Sequence, residues 1–200
     1  MPQKPVESVP DERWLENHAG LIAEAMAGSD AWALELGCGR GRDSGYLNRF
    51  GNLVAVDKHR PSLQKLRNQF PIISTVEMDI ARHWPFRTAS FDFVLASLSL
   101  HYFDDRTTQR CVDELRRCVL PTGYAIVRLN SVNDRNYGAG GGSAIEPYLY
   151  QVGDKTKRFF SEETIRQYFA KWQIDSLLEL DIDRYKKNKV IWELVCRPRA

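Results

Sequence analysis

The chain is 200 residues long and 43% hydrophobic, with 28 Lys and Arg against 26 Asp and Glu and a net charge of +2. That length and apolar content support one substantial core, so a single domain over residues 1–200 is expected. The near balance of charge argues against a general electrostatic grip on nucleic acid, and no apolar run approaches the roughly 20 residues that a membrane helix needs.

The polar, proline-rich start MPQKPVESVPDERW has no apolar segment behind a basic leader and does not resemble a secretory signal, so a cytoplasmic protein is expected. A helical segment over about 11–28, within the N-terminal stretch 1–28, is expected to lie across the carboxyl edge of the sheet. The runs AWALEL (31–36), NLVAVD (52–57), IISTVEMD (72–79), FDFVLAS (91–97) and GYAIVRL (123–129) are short and rich in Val, Ile, Leu and Phe, as buried parallel strands are. Helical patterns at 42–50, 60–70 and 104–119 lie between them, the second with Pro61 in its first turn and the third stopped by Pro121 and Gly123. Strand and helix alternating in this way predict a doubly wound α/β sheet.

After the fifth strand, residues 131–160 show little periodicity and read as a long loop, either a lid or an acceptor loop with Tyr137 as a substrate contact, or a mobile connection. A helix starts at Ser161, and the runs 172–180 and 188–196 predict an antiparallel hairpin at the sheet edge. The expected fold is therefore a mostly parallel seven-stranded sheet with a C-terminal antiparallel hairpin and helices on both faces. Arg184, Lys186, Lys187 and Lys189 read as a solvated hairpin tip. The four cysteines read as core thiols, and no paired Cys or His spacing suggests a metal site, so none is expected.

The chemistry concentrates in AWALELGCGRGRDS, where Gly37, Gly39 and Gly41 occupy the bend from first strand to helix. Glycines there tolerate unusual torsions and let backbone approach a ligand closely, next to the unpaired N–H groups of a helix start. Asp57 ends the second strand 20 residues beyond Gly37 and can accept both ribose hydroxyls of an adenosine; it also reads as a solvated carboxylate or a helix cap. Asp79, between Met78 and Ile80, would accept from an adenine amino group between apolar walls, or cap the turn before Ala81.

Taken together, E-x-G-x-G-x-G, Asp57, Asp79 and FDFVLASLSLHYF resemble the class I, Rossmann-like S-adenosylmethionine-dependent methyltransferases over nearly the whole chain. The resemblance implies S-adenosylmethionine as cofactor, with Glu35 and Gly37 facing its methionine portion, Asp57 its ribose, and Cys38, Gly39, Gly41 and Lys58 among the other residues that bind it. It implies Met78, Asp79 and Ile80 around the adenine, and the backbone of Ser97 near the methionine amino group. GRGRDSGYL, through Arg42, Asp43 and Ser44, is more narrowly similar to the small-molecule methyltransferases, those acting on tellurite and thiopurines among them; the same residues also read as a helix N-terminus.

A dinucleotide would want G-x-G-x-x-G, whereas here the third glycine comes one residue early and Asp43 would repel a pyrophosphate. SLSLHYF also lacks the Asn/Asp-Pro-Pro-aromatic tetrad of enzymes that methylate a base amine. The resemblance to small-molecule methyltransferases implies a small-molecule acceptor, with His101 as candidate catalytic base and Tyr102 shaping the acceptor pocket. The alternatives are a noncatalytic S-adenosylmethionine-binding or scaffold protein, and an enzyme acting on protein or RNA.

Overall fold

The computed structural model describes residues 11–183 and 186–199. In chain order a 3-10 segment at Asp11–His18 and helix α1 (Ala19–Ala25) lead into β1 (Trp32–Leu36), α2 (Ser44–Leu47), β2 (Asn52–Asp57), α3 (Arg60–Gln69) and β3 (Ser74–Glu77). Then come β4 (Phe91–Ser97), α4 (Asp105–Cys118), β5 (Val119–Asn130), a 3-10 turn at Arg135–Tyr137, β6 (Ser143–Glu146), β7 (Leu149–Val152) and β8 (Lys155–Arg158). Helix α5 (Glu162–Tyr168), β9 (Trp172–Ile182) and β10 (Lys189–Pro198) complete the chain.

Seven strands form one sheet in the order β3-β2-β1-β4-β5-β10-β9, with β1 to β5 parallel and β10 antiparallel to both of its neighbours. Because side chains alternate across a strand, each strand feeds two cores. Leu34, Leu36, Val56, Val94, Ala96, Val127 and Leu129 face α4 and α5, while Ala33, Leu53, Ala55, Phe93, Leu95 and Ile126 face α3 and the N-terminal helical segment. Pro61 stands in the first turn of α3, Asp104 caps α4 by accepting from the Thr107 N–H at 2.7 Å, and Ser161 and Thr164 form a reciprocal cap at α5. All four cysteines are buried free thiols. Among the described residues no helix is long and apolar enough to cross a membrane.

Several boundaries differ from expectation. Helix α2 is a single turn, and β3 ends at Glu77, so Asp79 stands beyond it. The expected N-terminal helix is 3-10 in its first half; the stretch before Asp11, and Arg184 of the expected hairpin tip, lie outside the described residues. Pro121 and Gly123 do not separate α4 from its strand: β5 starts at Val119, directly after the helix. Phe91 pairs with Val119 but Phe93 with Tyr124, so residues 120–123 bulge from the ladder, the one place where a proline, lacking an N–H, costs no pairing.

Residues 131–160 are not irregular. They fold into a 3-10 turn and a second, three-stranded antiparallel sheet, β6-β7-β8. Its strands SAIE and KTKR carry little apolar alternation, which is why periodicity missed them. Lys189 is also no solvated tip: it is 6% exposed and ion-paired with fully buried Asp134 at 2.7 Å.

Candidate active site

The strand order reverses between β1 and β4, and a doubly wound sheet opens a crevice at the carboxyl ends of its strands at that point. Strand parity decides what lines it. Glu35 shares the face of Ala33, Ser97 that of Phe93 and Leu95, and Arg128 and Asn130 that of Ile126. The apolar stripe under the N-terminal segment therefore turns polar as it reaches the crevice.

The bend after β1 is pinned to β2, since the Gly37 and Cys38 N–H groups both donate to the Val56 carbonyl, at 2.8 and 2.9 Å. Gly37 takes φ +72°, and a Cβ there would stand 2.6 Å from the Ser99 Cβ, so only glycine fits. Gly39, at φ +54°, has no protein atom within 4 Å of where its Cβ would point. A side chain at that position would fill the crevice instead. Gly41 faces elsewhere; its missing side chain makes room for Leu66 of α3, and it lines neither of the cavities described next.

Two cavities meet at Gly37, Gly39, Leu98 and Tyr102. One, of about 610 Å³, is lined by Asp57, Lys58, Met78, Asp79, Ile80, Ser99 and Phe103. The other, of about 370 Å³, reaches Glu35, Cys38, Asp43, Ser97, His101, Asn130 and Tyr137. Both volumes are typical of small-molecule sites. Leu98, at the seam, is held at φ +54°, an uncommon conformation for a residue with a side chain, with its N–H on the Arg128 carbonyl at 2.9 Å.

In the larger cavity Asp57 orders the bend: one carboxylate oxygen accepts the Gly39 N–H and the other the His59 N–H, both at 2.8 Å. Each oxygen keeps a further lone pair for a ligand hydroxyl. Asp79 accepts the Ala81 N–H at 3.0 Å, so it caps that turn while facing the same cavity as Met78 and Ile80. In the smaller cavity Glu35 is buried and accepts from the Ser44 hydroxyl. Burial, then the neighbouring charge of Asp43, pushes its carboxyl up to about 8, against a smaller downward pull from Ser44. Asp43 in turn accepts the Trp14 indole N–H at 3.3 Å, and the Arg128 guanidinium stacks 4.2 Å from the Trp14 ring. These contacts seat the N-terminal segment on the glycine bend.

His101 is 4% exposed, and its Nδ1 has no hydrogen-bond partner among the described residues. Burial holds its imidazole well below the usual histidine range, and the charges of Lys189 and Lys157 press it further the same way. The ring is therefore neutral at physiological pH. Its backbone carbonyl accepts the Arg158 N–H at 2.8 Å, and the Tyr102 carbonyl accepts the Thr156 hydroxyl at 2.9 Å. The small sheet is thereby fastened to the loop that follows β4, and it contributes Gln151, Asp154, Lys155 and Thr156 to one cavity and Lys157 to the other.

The structure thus brings Glu35, Gly37, Cys38, Gly39, Asp57, Lys58, Met78, Asp79, Ile80, Ser97, His101, Tyr102 and Tyr137 to one crevice, leaving Gly41 behind them. Sequence reading missed Asn130, Lys157 and Lys189, which also line it. Asn130 ends a buried apolar run on the parity of Ile126, a signal that would have found it. The lysines lie on strands whose partners no local pattern reveals.

The atoms present fit S-adenosylmethionine: an open space at Gly39, a carboxylate at a strand tip for the ribose, apolar walls for the adenine, and polar groups at the far end. Residues 34–127 match a family model described as a methyltransferase domain. Human arginine-hydroxylase NDUFAF5, a mitochondrial protein, is 32% identical over 97 residues, which cover 47% of this chain and 27% of that protein. Among solved structures, an S-adenosylmethionine-dependent methyltransferase from Methanosarcina mazei superposes with TM-score 0.75 at 16% identity, over 88% of this chain and 96% of that one. One from Clostridium acetobutylicum gives 0.74 at 16%, over 96% and 94%. The 1,6-didemethyltoxoflavin-N1-methyltransferase of Burkholderia thailandensis, solved with bound 1,6-didemethyltoxoflavin and S-adenosylhomocysteine, gives 0.69 at 18%, over 100% and 94%. At these identities the superpositions speak to fold.

Proposed function

We propose that this chain, an S-adenosylmethionine-dependent methyltransferase of the class I type, delivers its methyl group to a small-molecule acceptor in the cavity beside His101. The observation that carries the reading is the pair of cavities joined at Gly37, Gly39, Leu98 and Tyr102, one ending in acidic strand tips and the other in a neutral imidazole. Asp57 would hold the ribose, Asp79 with Met78 and Ile80 the adenine, and Glu35 with the Ser97 backbone the methionine end. The roles of Cys38, Gly39 and Lys58 are to shape and flank that path.

When bound, the cofactor supplies a methyl group on a sulfonium, an electrophile whose charge is lost as it is attacked, so alignment carries most of the rate enhancement. The chain's part is to align and to keep water out. The small sheet would serve as the lid, with Tyr137 and Tyr102 walling the acceptor. His101 Nδ1, buried and without a partner, would take the proton that leaves an acceptor hydroxyl or amine.

Incubation with S-adenosylmethionine and a panel of phenols, hydroxy acids, amines, thiols and chalcogen oxyanions should release S-adenosylhomocysteine with at least one class. His101→Ala should lower turnover at least tenfold with hydroxyl or amine acceptors and leave S-adenosylhomocysteine affinity unchanged. Tight cofactor binding with no release from any acceptor would favour a noncatalytic binding protein, and unchanged turnover in His101→Ala would remove the proton-accepting role.

A further inference from the structure

The acceptor end of the smaller cavity has a charge pattern of its own. Its lining there is His101, Tyr102, Asn130, Tyr137, Lys157 and Lys189. The two ammonium groups come from different elements, Lys157 from β8 and Lys189 from the start of β10. Both stand over the Tyr137 ring, at 6.0 and 5.0 Å from its centroid. Lys189 feels the charge of Lys157 as a repulsion, so the fold holds like charges together beside the buried His101 imidazole, whose Nδ1 has no hydrogen-bond partner among the described residues. Asp134 offsets Lys189 at 2.7 Å, whereas Lys157 donates to an uncharged group, the Tyr137 carbonyl, at 3.2 Å. Beside them Asn130, 1% exposed, leaves its Oδ1 without a partner, while its amide donates to the Arg158 carbonyl.

Asp134 is one anion for two cations, so a second anion beside them is favoured, and an unmet buried acceptor calls for a donor. We propose that the methyl acceptor is a small organic anion, a hydroxy or amino carboxylate, whose carboxylate is received by Lys157 with Lys189 behind it and whose hydroxyl or amine donates to Asn130 Oδ1 or His101 Nδ1. The inference rests on the cofactor and acceptor assignment made above and specifies its substrate class. The carboxylate also offsets the lysine charges that add to the effect of burial on His101.

The test uses the full chain saturated with S-adenosylhomocysteine and three probes of one shape: 4-hydroxybenzoate, 4-hydroxybenzamide and 4-hydroxybenzylamine. Saturation-transfer NMR titrations should rank the carboxylate at least tenfold tighter than the neutral amide, with the amine weakest. Lys157→Gln should abolish that preference, Lys157→Arg should retain it and Lys157→Glu should invert it, each with S-adenosylhomocysteine affinity within about twofold of the parent. Equal binding of carboxylate and amide by the parent, or an undiminished preference in Lys157→Gln, would overturn the proposal. A chain that bound no S-adenosylhomocysteine would instead overturn the cofactor assignment.

Discussion

Asp57 does two things at once. It gathers the Gly39 and His59 N–H groups and leaves lone pairs toward the cavity, so it both builds the bend and would contact the ribose. Asp57→Ala is expected to weaken S-adenosylhomocysteine binding by one to two orders of magnitude, about 1.4–2.8 kcal/mol, measured by calorimetry. Asp57→Asn, which keeps one carbonyl acceptor, should fall between the two; a parental affinity in the alanine variant would refute the ribose assignment. The acidic tips and the glycines were legible from sequence because their spacing is local to one strand and one turn. Gly41 shows where that legibility stops, since a glycine that makes room for Leu66 and one that faces a ligand look alike in a string of letters.

At the level of elements, the strands of the main sheet were legible because parallel strands buried on both faces are nearly uninterrupted apolar runs. The second sheet was not, because its strands are short, largely exposed and stabilised by attachment to the 101–103 loop rather than by an apolar face of their own. Residues 120–123 illustrate a third case, in which proline and glycine were read as a helix stop but serve a bulge. A Cβ on Gly123 would stand 2.6 Å from the Asp92 carbonyl oxygen, backbone that cannot turn aside. Gly123→Ala should therefore cost about 1–3 kcal/mol of stability, seen as a melting temperature several degrees lower. An unchanged melting temperature would mean that the β4–β5 junction is looser than described.

For the molecule as a whole, the buried titratable groups of the crevice couple folding to pH. Glu35 is pushed up to about 8 from 4.5, so between those values the folded chain holds a proton that the unfolded chain has lost. Its contribution to stability therefore falls as pH rises across that window. His101 acts in the opposite sense: its folded value lies well below 6.5, so its contribution is lost as pH falls below that. Glu35→Gln should remove the alkaline-side loss, making the variant progressively more stable relative to the parent between pH 5 and about 8 in paired thermal melts. A constant difference over that range would show that Glu35 is ionised in the folded chain. The overall architecture was readable because one alternation of strand and helix admits few topologies, but which side chains converge across the crevice depends on β5, β8 and β10 meeting there.

The last strand of the sheet order, β9, pairs on one side only, with β10. Such a margin is a template on which a second molecule could continue the ladder. Here it bears Asp175, Glu179 and Asp181 along eleven residues, so two such margins brought side by side would set carboxylate against carboxylate. The strand that finishes the fold thus also discourages its extension.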